Sequence, residues 1–254
     1  MNPILNASGG LRYHARGFRY QASLWRPFRW HLSEWLYGWQ PPERRLVLVG
    51  PSAGYCIEPL LLERFDEILC LEPDPVARFL FSRKIAGAAL ERRPKLRFES
   101  RDLLIADPSR FAELLRAEGD VAVLFSNVLG QLRVLVEGGD VSARVAEIRT
   151  AILPALGERS WASFHDRVSG EHEPMLEEIV IADGRLSDAE IVANFFPTLG
   201  ADAIGESPRA ELFDHMTRGI FPEGAPHAYL TWELMPRVFH LIESTFYARA
   251  GIAA

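Results

Sequence analysis

Five short apolar runs, each followed by a longer helical or polar stretch, constrain this chain more than any other feature. They are Arg45–Val49, Ile68–Leu71, Leu96–Glu99, Val121–Phe125 and Ser160–Phe164. The first four recur roughly every 20–30 residues, the interval of strand–helix–strand crossovers that build a parallel sheet, and the fifth follows after a longer helical stretch. Most of these runs show no alternation of apolar and polar side chains, as expected of strands covered on both faces. The stretches between them predict helices at 55–65, 75–90, 108–117 and 141–156. Near the end, the apolar runs Ala228–Leu234 and Val238–Phe246 flank Met235-Pro236-Arg237, the pattern of a hairpin. The expected fold is α/β, with a doubly wound, mostly parallel, Rossmann-like sheet of seven strands that ends in an antiparallel hairpin.

Before and between these elements the pattern is different. Residues 1–10 read as loose, and 19–39 as an amphipathic helix broken or kinked at Pro27. Residues 1–44 are therefore expected to form an aromatic, Arg-rich helical appendage to a domain spanning 45–254. Residues 170–226 are expected to form a cap over the site, with helices at 187–199, capped by Ser187 or Asp188, and near 207–218.

The net charge of −6 gives no global field to hold nucleic acid or an anionic membrane. The start is locally basic, with Arg12, Arg16, Arg19, Arg26, Arg29, Arg44 and Arg45 against Glu34 and Glu43. Its aromatic stripe reads first as packing, second as a lid for an acidic substrate, and last as a nucleic-acid surface. Cys56 and Cys70 sit in apolar runs and read as core residues, consistent with a reducing cytoplasmic setting. MNPILNASGG lacks the pattern of a signal peptide, and no run reaches the ~20 apolar residues that span a bilayer. A small-molecule substrate is expected, with no membrane partner. No metal is expected: Glu171, His172 and Glu173 are consecutive and do not converge on one ion.

The first strand runs into Gly50-Pro51-Ser52-Ala53-Gly54. In open parallel sheets ligands bind beyond the carboxyl ends of the strands, and small loop residues let a ligand approach the backbone. The same loop also serves as a tight turn with no ligand. Glu72 ends the second strand, 22 residues after Gly50, where a carboxylate can accept hydrogen bonds from both ribose hydroxyls of an adenosine-containing cofactor. It also reads as an exposed acid before a Pro-Asp-Pro turn, with Asp74 capping the next helix.

With this loop and acid, the chain resembles class I S-adenosylmethionine-dependent methyltransferases over about residues 45–165 and the closing hairpin. The resemblance implies S-adenosylmethionine as cofactor. It puts Gly50, Pro51, Ser52 and Gly54 in the cofactor loop, Glu72 on the ribose, and Asp102 with Leu103 beside the adenine. Asn127 then lies at the methyl-donor end, and Gln131 and His165 are the candidates facing the substrate. The loop departs from the family pattern at Leu48, where many members carry an acid, and at Pro51. A cationic sulfonium is stabilised by aromatic faces, for which Tyr20, Trp25 and Tyr55 are candidates. Methyl transfer mainly requires alignment, so a dedicated base is not obligatory. His165, in His165-Asp166-Arg167 after the fifth strand, reads either as a base or as part of a solvated strand end.

Gly50-Pro51-Ser52-Ala53-Gly54 also matches G-x-S-x-G, the nucleophile elbow of α/β-hydrolases. Ser52 would then be the nucleophile of a serine esterase, with His215, His227 or His240 as base. That fold needs strands before the elbow and a glycine-rich oxyanion loop upstream, where residues 1–44 read as helix. A methyltransferase-like binding module without catalysis is the third reading.

Overall fold

The computed structural model describes residues 10–135, 140–176, 178–207 and 209–250. The expectation of a loose start therefore lies outside the described residues, apart from Gly10. Helices α1 (Gly10–Tyr20) and α2 (Trp25–Tyr37) precede strand β1 (Arg45–Val49). The chain continues through α3 (Pro59–Leu62), β2 (Glu67–Leu71), α4 (Pro75–Gly87), β3 (Lys95–Glu99), α5 (Leu103–Ala106) and α6 (Pro108–Glu118). Then come β4 (Ala122–Ser126), α7 (Leu132–Leu135), α8 (Val141–Leu156) and β5 (Trp161–Gly170). The last part holds β6 (Val180–Ala182), α9 (Asp188–Phe195), β7 (Ile204–Gly205), β8 (Leu212–Asp214), β9 (His227–Met235) and β10 (Val238–Tyr247).

The main sheet runs β3-β2-β1-β4-β5-β10-β9-β6, with β8 pairing to both β5 and β7. The first five strands are parallel, and β10 enters antiparallel between β5 and β9. The seven expected strands are thus β1–β5, β9 and β10, and the short β6, β7 and β8 extend them. Alternate residues of the central strands serve two different layers. Leu46, Leu48, Ile68, Cys70 and Leu124 pack on one face against α2, α3 and α4. Val47, Val49, Leu69, Val123 and Phe125 pack on the other against α6 and α8. Because both faces are covered, these strands read as unbroken apolar runs.

Local signals set the helix starts. Asp74 accepts from the Val76 amide with Pro75 following, and Asp107 accepts from the Ser109 amide with Pro108 following. Ser187 and Glu190 form a reciprocal capping box on α9. The N-terminal prediction needs correcting: two helices replace one, the break falls before Trp25, and Pro27 sits without disruption in the first turn of α2. Trp25, Phe28, Leu32 and Leu36 form the buried stripe of α2. Phe28 stacks on Trp232 with ring centroids 5.0 Å apart, and the Trp25 indole donates to the Leu234 carbonyl at 3.0 Å. The packing reading of this aromatic segment holds, since the stripe lies in the main core.

Three further expectations fail. The helix over 55–65 shrinks to Pro59–Leu62, because the Gly54–Ile57 turn occupies its first residues. The helix near 207–218 is replaced by β8 and loops, whose Leu212 fills a core with Ile191 and Phe195. The fifth strand does not stop at Phe164 but continues to Gly170, so His165-Asp166-Arg167 lies inside it. No helix among the described residues is long and apolar enough to cross a membrane.

Candidate active site

A cavity of about 450 Å³ opens beyond the carboxyl ends of β1, β2 and β4. This is where strand order reverses, with β2 and β3 on one side of β1 and β4 on the other. Gly50 and Ser52 line it in left-handed conformations, with φ of 66° and 50°. A Cβ on Gly50 would lie 2.9 Å from Val128 Cβ. Gly50→Ala therefore meets both a backbone and a steric penalty, and should lose at least about 1–2 kcal/mol of stability. Urea unfolding measures it, and a wild-type midpoint would show that Val128 gives way freely.

Glu72 is almost fully buried at the end of β2 and lines the same cavity. One carboxylate oxygen accepts from the Ser52 amide at 2.8 Å and the other from the Asp74 amide at 3.0 Å. Burial pushes its pKa up to about 7, against the lowering effect of those two amides. Pro51, Asp102 and Leu103 also line the cavity. Helix α1 supplies one wall through Gly10, Tyr13 and Arg16. It is tied down by buried His14, which meets the Tyr55 hydroxyl at 3.2 Å and an Asp74 oxygen at 3.1 Å.

At the other end, Asn127 follows β4 with φ of 57° and holds Asp166 by two hydrogen bonds. Its amide nitrogen donates to Asp166 Oδ2 at 3.2 Å, and its carbonyl oxygen accepts from the Asp166 backbone at 2.9 Å. Gln131 donates to the same Oδ2 at 2.7 Å, and His240 Nδ1 lies 2.8 Å from Oδ1. Burial alone would raise the Asp166 pKa, but His240, His215 and Asn127 outweigh it and hold the carboxyl at about 2. His215 bridges the Gly130 carbonyl at 2.7 Å and the Ser169 hydroxyl at 2.8 Å.

Several expected site residues are placed elsewhere. His165 points to the opposite face of β5, beside Glu243 and Phe221, and is not a cavity residue. Burial pushes its pKa down to about 4. Tyr55 lies behind the wall, where its ring packs edge-on to Tyr13 and Trp25. Neither Tyr20 nor Trp25 lines the cavity; its aromatic lining comes from Tyr13, Phe164, Phe213 and Trp232. Gly54 serves the turn instead, with φ of 71° and Phe81 occupying the space of a Cβ. Ser52 has no hydrogen bond to a histidine among the described residues, so the elbow motif lacks its base.

Sequence reasoning gave Asp166 no role of its own, and considered His215 and His240 only as the base of a serine esterase. The signal for Asp166 was there: it is a polar residue whose alternate neighbours, Phe164 and Val168, are core residues. The potential metal-donor atoms of Asp166, His215 and His240 lie within 4.8 Å of one another. Hydrogen bonds already occupy both Asp166 oxygens and both His215 ring nitrogens, so the group is a hydrogen-bonded network rather than an ion cage.

No family model matches the sequence, and none of the curated proteins matches it. Among solved structures the chain is similar to the N-methyltransferase NodS from Bradyrhizobium japonicum in complex with S-adenosyl-L-homocysteine. The identity is 10% over 92% of this chain and 97% of that one, with a TM-score of 0.47. A SAM-dependent methyltransferase from Anabaena variabilis is similar at 11% identity over 92% and 93% of the two chains, with a TM-score of 0.43. The glycopeptide N-methyltransferase MtfA, complexed with S-adenosyl-L-methionine, is similar at 18% identity over 60% of each chain, with a TM-score of 0.36. At these scores the likeness carries no weight for chemistry, which rests on the residues themselves.

Proposed function

We propose that the protein is an S-adenosylmethionine-dependent methyltransferase acting on a small molecule. One observation carries this reading: a buried carboxylate, Glu72, faces the same cavity as the left-handed Gly50–Ser52 loop at the reversal point of the sheet. Backbone amides take one lone pair on each Glu72 oxygen, which leaves acceptor capacity for two ribose hydroxyls. The cavity size suits a cofactor or drug-sized ligand. The bound cofactor would supply an electrophilic methyl group on a cationic sulfur.

In this reading Gly50, Pro51 and Ser52 admit the cofactor close to the backbone, and Asp102 and Leu103 border its base. Asn127 and Gln131 act indirectly, by fixing the Asp166 carboxylate at the acceptor end. The apolar walls exclude water and hold the acceptor in line with the methyl group.

Thermal unfolding with S-adenosylhomocysteine, the demethylated product, tests the reading. At a hundred times its dissociation constant the ligand should add ~2.7 kcal/mol of stability. For a chain of this size the midpoint should rise by roughly 5–10 °C. An unchanged midpoint at millimolar ligand would remove the cofactor from the account.

A further inference from the structure

His240 is hydrogen-bonded to Asp166 and packed beside Trp232 and His215. With Nδ1 engaged by Oδ1 at 2.8 Å, the other ring nitrogen, Nε2, has no hydrogen-bond partner among the described residues, and the ring borders the cavity. Asp166 in turn is fixed by Asn127 and Gln131, from the loop that follows β4. This is the arrangement of an oriented imidazole: a carboxylate holds the proton on one nitrogen and leaves the lone pair of the other to face a ligand. The apolar lining of the same cavity includes Trp232, Leu234, Phe213 and Phe164, and the Trp232 ring centroid lies 5.9 Å from that of His240.

The geometry points to His240, positioned by Asp166, as the proton acceptor for an aryl hydroxyl substrate whose ring lies against Trp232 and Phe213. This rests on the methyl-transfer reading above. A hydroxyl becomes a strong nucleophile only as its proton leaves, so it needs such a group, whereas a carboxylate acceptor does not and would face the Asp166 charge. His240 Nε2 takes the hydroxyl proton while the oxygen lone pair forms the bond to the methyl carbon. The carbon–sulfur bond breaks with its electron pair on sulfur, giving an aryl methyl ether and a neutral thioether. The imidazolium left beside Asp166 then returns its proton to solvent.

Other titratable groups at this end are poor substitutes. Burial raises the Tyr13 hydroxyl well above its usual range and the Cys56 thiol to about 11. Both His215 nitrogens are already bonded.

The test uses the full chain loaded with S-adenosylhomocysteine and 4-nitrophenol as probe, in buffer acidic enough that the free probe is the colourless phenol. Proton transfer to His240 should give a saturable yellow phenolate signal. His240→Gln keeps an amide for Asp166 but lacks a basic nitrogen, and His240→Phe removes both. In either variant the phenolate fraction of bound probe should fall about tenfold or more. Calorimetric affinity for S-adenosylhomocysteine should stay within about twofold, which also reports that the variant is folded. A bound probe equally ionised in His240→Gln, a probe that binds without ionising, or no probe binding overturns the assignment while the cofactor reading stands. Failure of S-adenosylhomocysteine itself to bind the wild-type chain removes both.

Discussion

Arg167→Met should cost about 3–5 kcal/mol of folding stability, the range for removing one member of a buried charge network. Arg167 is fully buried in the middle of β5. Its guanidinium donates to Asp214 at 2.9 Å, contacts Asp188, and lies 4.0 Å from Glu243. Methionine fills the space but leaves these carboxylates without their shared cation. Asp188 keeps Arg218, and Glu243 keeps His227 at 3.0 Å, so the loss falls mostly on Asp214. Arg167→Lys retains the charge but not the fork that serves two carboxylates at once, and should recover only part of the difference. Urea unfolding of both variants measures it. A loss under ~1 kcal/mol for methionine would mean that the carboxylates rehydrate in the variant.

The second large effect concerns the cofactor. Glu72→Ala should weaken binding of S-adenosylhomocysteine by about 1–3 kcal/mol, the worth of hydrogen bonds to a charged acceptor. Isothermal titration calorimetry reads it, and equal affinity in the variant would remove Glu72 from the site. The effect should also depend on pH. Burial raises Glu72 from 4.5 to about 7 in the empty protein. A group raised on folding favours the protonated native state, so its stabilising contribution is full below the unfolded value and fades as pH rises through about 7. Ribose hydroxyls favour the ionised form, so binding must release a proton at acidic pH. Affinity should therefore rise with pH up to about 7, by up to about tenfold per unit, and level off above it. In Glu72→Ala this slope should vanish. Calorimetry in two buffers of different ionisation enthalpy counts the proton directly.

Most of the framework was legible in the sequence because the central strands are buried on both faces and leave apolar runs. The loop at Gly50–Ser52, Glu72, and the hairpin about Met235-Pro236-Arg237 could be read in the same way. The Asp166 end of the cavity could not. His165, Asp166 and Arg167 end an apolar run in the sequence, and charge next to a strand ordinarily marks solvent. In the folded chain Asp166 finds three side-chain donors on one face, while Arg167 finds carboxylates on the other, so the strand continues through them. None of those partners is near in sequence, and only the sheet brings them together. Helix α1 was missed for a similar reason. Its buried positions are Gly10, His14 and Gly17, which carry no apolar signal; Gly17 is required because the Tyr55 ring occupies the space of a Cβ.

The entry of β10 between β5 and β9 also sets the order in which the protein can assemble. Strands β1, β2 and β3 pair with neighbours close in the chain, β4 joins β1 from 76 residues further on, and all four precede β10; they complete the Gly50–Glu72 side of the cavity. The pairing of β10 with β5 joins residues 69 to 86 apart in the chain, and β10 is the last strand to be made. Asp166 gains His240 only at that step. A chain emerging during synthesis therefore completes the Gly50–Glu72 side first, and the Asp166 side waits for the last strand.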